Sequence, residues 1–252
     1  MELIWQSAEV THTGKRRAHN EDAVMSRPDA QLWAVADGMG GHHAGEVASQ
    51  AIVSALYALV PAGSLAERVD AVEDVLVGVN EDLRRHAERC GSATTIGSTV
   101  VTMLCAGATG VALWAGDSRL YRLRLGQLEL ITRDHNPVSD LLDSGAVSEA
   151  EALAADTNII TRAVGGQPHL HLDVAVFDVR PDDTFLLCSD GLYRELEKRE
   201  LLEGLSNLEL QSAADVLLRR CLEGPARDNV SLVIARAAAQ PDRRRQRRKV
   251  GS

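Results

Sequence analysis

Four aspartates stand at the edges of apolar runs, three of them beside glycine. Asp37 follows Leu32-Trp33-Ala34-Val35-Ala36 and opens the stretch Asp37-Gly38-Met39-Gly40-Gly41-His42-His43-Ala44-Gly45-Glu46. Asp117 follows Val111–Gly116, Asp190 lies between Phe185–Ser189 and Gly191, and Asp228 precedes Asn229–Val233. An acid at the end of a buried strand is held rigidly, and glycine lets backbone atoms approach a small ligand closely. A carboxylate beside bare backbone suits a hard metal ion or a phosphate. Taken singly, each aspartate also reads as a turn former, and Asp37 as a helix cap in a glycine-rich turn. Taken together, clustered carboxylates oppose one another's ionisation and are costly unless a cation neutralises them. Oxygen-only ligands select Mg²⁺ or Mn²⁺ over Zn²⁺.

The elements that must position these acids are legible from periodicity. Residues 3–13 alternate as a strand, and the charged segment Gly14–Asp22 reads as a loop or strand edge. Ala23–Met25 and Leu32–Ala36 form a hairpin around Pro28-Asp29. Ala44, Val47, Ala48, Ala51, Ile52, Ala55, Leu56 and Leu59 repeat with the helical period, and Leu65 to Leu83 carry a second apolar stripe. Gly97–Ala106, Val111–Ala115, Leu120–Leu125 and Leu128–Ile131 read as an antiparallel meander. Thr132–Gly166 is less regular, with helical pieces near Val138–Leu142 and Ser148–Leu153, and reads as a flap over one end of the sheet. Strands follow at Leu172–Val179 and Thr184–Ser189, helices at Lys198–Leu205 and Glu209–Leu222, and a last strand at Asn229–Ala235. The pattern predicts one α+β layered domain over residues 1–240.

Composition narrows the function. The 45% hydrophobic content fills a sizeable core, and with 3% aromatics that core is expected to be Leu, Val, Ala and Ile. Cys90, Cys105, Cys188 and Cys221 show no metal-ligand pairing and read as reduced core thiols of a cytoplasmic protein. No apolar run reaches the roughly 20 residues of a membrane span, and no signal peptide is visible. The formal charge is −9; setting aside residues 241–252, a basic tail carrying net +5, leaves −14 on the body. Such a body is not a nucleic-acid binder, but it can concentrate cations in an acidic cleft. The tail itself reads as solvated and disordered, with contact to an anionic partner or membrane as the alternative.

Six segments occur in an order that resembles the metal-dependent protein phosphatase (PPM) family, the type 2C serine/threonine phosphatases, in their compact bacterial form. They are Arg17-Ala18-His19-Asn20-Glu21-Asp22, Asp37-Gly38-Met39-Gly40-Gly41, Gly97-Ser98-Thr99, Gly116-Asp117-Ser118-Arg119, Ser189-Asp190-Gly191 and Asp228-Asn229. The likeness runs from about Trp5 to Ala235. It implies a four-layer α-β-β-α sandwich: two antiparallel sheets face to face, a helix pair outside each, and a metal centre at one edge between the sheets. It implies that Asp37 bridges two Mn²⁺ or Mg²⁺ ions, with the Gly38 carbonyl on the second. Asp190 and Asp228 would hold the first, Glu21 and Asp22 would act through waters, and Asp117 with Asp190 would bind a third, weaker ion.

The reaction so implied is hydrolysis of phosphoserine and phosphothreonine in proteins by a metal-activated bridging water, without a covalent enzyme intermediate. Arg17 is the candidate phosphate clamp, because a guanidinium meets two phosphate oxygens at once; the alternative is a surface basic residue alongside Lys15 and Arg16. Met39 stands where animal relatives carry a histidine thought to protonate the leaving group. His42 is the nearby candidate donor, or else an exposed loop histidine. The flap, 137–157, would border the substrate cleft, and Asn158–Arg162 resembles a segment that packs it back on the core. The expected partners are phosphoproteins and a cognate Ser/Thr kinase, with the chain a monomer. The rival readings are a pseudophosphatase that binds without chemistry, and a phosphatase dedicated to a regulatory or secretion-system phosphoprotein.

Overall fold

A computed structural model describes residues 3–40, 43–60, 62–91, 96–143, 159–206 and 209–240. Two antiparallel sheets carry the chain. The first runs β1 (Leu3–His12), β11 (Val230–Ala239), β10 (Thr184–Cys188), β7 (Arg119–Arg124), β8 (Gln127–Leu130). The second runs β2 (Asp22–Arg27), β3 (Leu32–Met39), β5 (Val100–Ala106), β6 (Thr109–Ala115), β9 (Asp173–Asp178), with β4 (Gly97–Ser98) paired to the end of β3.

Side chains alternate across each strand, so each sheet feeds two cores. In β3, Trp33 and Val35 point between the sheets, while Leu32, Ala34 and Ala36 face helices. In β10, Phe185 and Leu187 point between the sheets, while Leu186 and Cys188 face the other helix layer. Strands buried on both faces explain the near-continuous apolar runs of the sequence. Helices α1 (Ala44–Tyr57) and α2 (Leu65–Cys90) cover the second sheet, with Ser64 and Glu67 forming a capping box at the start of α2. The one-turn α4 (Asp190–Tyr193) with α5 (Lys198–Leu205) and α6 (Leu210–Glu223) covers the first. The four-layer sandwich implied by the resemblance is the observed architecture.

Two expectations change. The meander over 97–131 is two hairpins in different sheets: β5–β6 belongs to the second, β7–β8 to the first. The chain crosses between sheets at Gly116-Asp117-Ser118, which a local pattern of strand and turn cannot distinguish from a hairpin. Trp5, Trp33 and Phe185 meet in the middle layer, with ring centroids 4.7 Å apart for Trp5–Trp33 and 5.9 Å for Trp5–Phe185. Of the four thiols, Cys90 is exposed at the end of α2 rather than in the core.

Of the flap, α3 (Pro137–Asp143) is described; the helical piece expected at Ser148–Leu153 and the tail at 241–252 lie outside the described residues. Past the flap, the Thr161 N–H donates to the His135 carbonyl at 2.9 Å and Arg162 pairs with Asp173 at 2.7 Å, fastening this segment to the core. Among the described residues, no helix is long and apolar enough to cross a membrane.

Candidate active site

The crossings that join the two sheets deliver the acids to one edge. Asp37 lies in β3 opposite Asp22 of β2. Its backbone is fixed by the 97–99 segment: its carbonyl accepts from Thr99 N–H and Ser98 Oγ, both at 2.9 Å, and its N–H donates to Thr99 Oγ1 at 3.2 Å. Gly38 is where three backbones meet. A Cβ there would lie 2.1 Å from the Gly45 carbonyl oxygen and 2.5 Å from that of Glu21, so any side chain would push α1 and the Glu21 loop away from β3. Asp117 occupies the sheet-to-sheet crossing, where Gly116 adopts φ 109°, and Thr99 Oγ1 bonds Ser118 Oγ at 2.7 Å across it. Asp190 starts α4, and Asp228 precedes β11.

Asn229 binds these pieces together. Its Oδ1 accepts from the Glu21 N–H at 2.8 Å, and its Nδ2 donates to the carbonyls of Thr13 and His19, both at 2.9 Å. One amide side chain thus holds the Arg17–Asp22 loop against the start of β11.

The result is a cleft of about 340 Å³ lined by Arg17, Glu21, Asp37, Gly38, Asp117, Asp190 and Asp228. Every predicted residue that is described lies there except Asp22, which is buried behind it and accepts from Ser189 Oγ at 2.8 Å. His42 lies outside the described residues.

The electrostatics are those of crowded acids. Burial pushes the Asp37 carboxyl well above the usual range, and Asp22, Asp190, Asp117 and Asp228 push it further. Burial raises Asp22 to about 7; hydrogen bonds from Ser231 and Ser189 oppose this, and Asp190 and Asp228 add to it. Burial also raises Asp117 to about 6, with Asp190 reinforcing and Arg194 opposing the shift. Asp190 is raised by burial, against the pull of Arg194. Two arginines answer part of this charge: Arg17 Nη2 lies 2.8 Å from Asp228 Oδ2, and Arg194 pairs with both Asp190 and Asp117.

The donor set fits hard divalent ions. It is all oxygen, it is dense in negative charge, and the buried Oδ1 atoms of Asp22 and Asp190 have no hydrogen-bond partner. Among the described residues no three His, Cys, Asp or Glu side chains are gathered into a finished metal cage. The outward oxygens of Asp228, Asp190 and Asp117 are held by arginines instead.

Sequence reasoning missed Arg194, Tyr193 and the binding role of Asn229. A helical i, i+4 spacing from Asp190 to Arg194 was the available signal for the arginine, and it is the spacing of many ordinary surface pairs.

The protein phosphatase 2C family model matches residues 11–223. The chain is 37% identical over 237 residues to the serine/threonine protein phosphatase PstP of Mycobacterium tuberculosis, a match that covers 92% of this chain and 45% of that protein. It therefore spans about half the length of that relative. It is 34% identical over 233 residues to the serine/threonine phosphatase stp of Listeria monocytogenes, covering 89% of this chain and 92% of the relative. Among solved structures, PppA, described as a key regulatory component of T6SS in Pseudomonas aeruginosa, superposes with a TM-score of 0.86 at 42% identity, over 93% of this chain and 98% of that one. The catalytic domain of PstP in complex with two manganese ions gives 0.83 at 34% identity, over 94% and 100%. An α-β-β-α sandwich with its acids at one edge, matched by sequence over most of its length, places this chain in the protein phosphatase 2C family.

Proposed function

We propose that this chain is a Mg²⁺- or Mn²⁺-dependent phosphatase that hydrolyses phosphoserine and phosphothreonine in proteins, opposing a Ser/Thr kinase. The observation that carries this reading is the convergence of Asp37, Asp117, Asp190 and Asp228 on one cleft with an arginine at its rim. The manganese ions of the related PstP catalytic domain support the choice of metal.

Asp37, Asp190 and Asp228 would hold two ions, with the Gly38 carbonyl and Glu21 beside them in the cleft and Asp22 behind. Bound there, divalent ions would neutralise the acids, polarise phosphoryl oxygens and activate water. The chain's own residues do the rest. Arg17 binds the phosphate with its planar fork, exchanging Asp228 oxygens for phosphoryl oxygens. Asn229 keeps Arg17 and Glu21 in register by pinning their loop. Among the described residues lining the cleft there is no Ser, Thr, Cys or His, which favours direct attack by water over a covalent intermediate on such a side chain. His42 is the candidate donor of the leaving-group proton.

The test is hydrolysis of an aryl phosphate and of phosphoserine, phosphothreonine and phosphotyrosine peptides with Mn²⁺, with and without chelator. Turnover of the first two peptides that chelator abolishes supports the reading. Metal binding without turnover selects the pseudophosphatase instead. The likeness to PppA favours, as a second reading, dedication to one regulatory phosphoprotein of a secretion system. Comparing the phosphoproteomes of a deletion strain and its parent separates one substrate from many.

A further inference from the structure

Asp117 and Asp190 face each other across one edge of the cleft, and Arg194 stands between them. Its Nε lies 3.0 Å from Asp190 Oδ2 and its Nη2 3.2 Å from Asp117 Oδ2. A single guanidinium thus spans both carboxylates. The Asp117 side chain is 3% exposed, so its charge needs a partner inside the protein.

The arginine is placed, not draped. Its backbone N–H donates to the Asp190 carbonyl at 3.0 Å, closing the turn of α4, so acid and base share one helical turn. The preceding residue braces the other acid: Tyr193 Oη donates to the Asp117 carbonyl at 3.0 Å and lies 3.3 Å from its Oδ2. The Tyr193 ring is in turn covered by the Arg119 guanidinium, 3.6 Å from its centroid, and Arg119 is held by two bonds to Asp134 at 2.9 and 2.7 Å. At the far end of the cleft Arg17 meets Asp228 from a half-exposed loop, whose backbone Asn229 fastens while the Arg17 side chain itself stays about half exposed.

We propose that Arg194 is the built-in cation of the Asp117–Asp190 pair, and that the cleft takes divalent ions on its Asp37–Asp228 side but none between Asp117 and Asp190. A metal ion bridging that pair would need the carboxylate oxygens the guanidinium holds, and would have to sit against a fixed positive charge. Asp190 divides its two oxygens: Oδ2 faces Arg194, while the buried Oδ1 has no hydrogen-bond partner and remains for an ion shared with Asp37. Arg194 is then a positioning residue that sets how many ions the site holds. This rests on the divalent-ion reading of the cleft, and it replaces the expectation of a third ion on Asp117 and Asp190.

The experiment is calorimetric titration of the whole chain with Mn²⁺ into the millimolar range, for the wild type, Arg194→Gln, Arg194→Lys and Asp117→Asn. Circular dichroism establishes that each variant is folded. The expected counts are two ions for the wild type, three for Arg194→Gln, two for Arg194→Lys and two for Asp117→Asn. Three ions in the wild type, or a third ion lost with Asp117→Asn, overturns the inference and leaves the divalent-ion reading standing. A folded Arg194→Gln that still binds two also overturns it. If Arg194→Gln does not fold, the wild-type and Asp117→Asn counts decide. No Mn²⁺ binding by the wild type overturns the divalent-ion reading itself.

Discussion

Arg17 and Arg194 meet different acids of one cleft, yet 53% of the Arg17 side chain is exposed against 35% of Arg194. Arg17 pairs with Asp228 from the loop before β2, whereas Arg194 spans Asp190 and Asp117 from a helical turn braced by Tyr193. An exposed pair of the first kind is worth about 0–1 kcal/mol, so Arg17 can trade its carboxylate for a phosphate at little cost. The second kind removes a buried charge from an uncompensated state, and breaking it leaves that charge unpaired. One end of the cleft is thus arranged to exchange partners and the other to keep them.

Asp37 lies between the two ends and would hold the ions they flank, so Asp37→Asn should abolish turnover while leaving both arginine pairings intact. We expect Mn²⁺-supported hydrolysis of an aryl phosphate to fall by on the order of 10³-fold or more. Because burial and four neighbouring acids already oppose ionisation of Asp37, the same variant should not lower the melting temperature in chelator. Undiminished turnover would break the metal mechanism at its centre.

Arg17→Ala tests the exchanging end alone. Loss of a charge-assisted, two-pronged contact to phosphate, about 1.5–3 kcal/mol, predicts a fall in kcat/KM of roughly 10- to 100-fold. Arg17→Lys should recover part of it, as a point charge without the fork. The Mn²⁺ count should stay the same in both. A change in that count would mean that Arg17, like Arg194, serves the acids rather than the substrate.

Two of the buried acids predict a pH dependence with a definite sign. Asp22, raised to about 7, and Asp117, raised to about 6, keep protons in the folded chain that the unfolded chain has released. Stability from this source is therefore complete below the ordinary value of 3.8 and is lost as pH rises through 6 and then 7. In chelator, the melting temperature should drop by on the order of 5 °C between pH 5 and pH 8. Asp117→Asn should remove the lower part of that drop and Asp22→Asn the upper part. Saturating Mn²⁺ should reverse the slope, because ions and protons compete for the same oxygens.

Much of this was legible before any coordinates. Strands such as Leu32–Ala36 announce themselves because both faces are buried, and Lys198–Leu205 because one stripe is. The strand-end aspartates were legible for the same reason: a charge stands out where an apolar run stops. The exchange of sheets after β6 was not, since Gly116-Asp117 closes a hairpin and a crossover with the same residues, and only pairing with β9 and β10 decides between them. Nor was Arg194, whose i, i+4 spacing from Asp190 carries no hint that Asp117, far away in sequence, sits on its other side. What escaped is what depends on contacts between distant segments.

The gentlest test of the comparison is Tyr193→Phe. It deletes the hydroxyl that donates to Asp117 and keeps the ring beneath Arg119. Losing one hydrogen bond to a buried acceptor costs about 1 kcal/mol, or about 3 °C in melting temperature for a chain of this size. KM for an aryl phosphate should move less than about twofold, because the described hydrogen bonds of the loop that carries Arg17 run to Asn229 and not to the Tyr193 hydroxyl. Stability lost with KM held would mark the two ends as independent. A KM shift approaching that of Arg17→Ala would mean that they communicate through Asp190, which touches Arg194 on one side and feels Asp228 and Arg17 on the other.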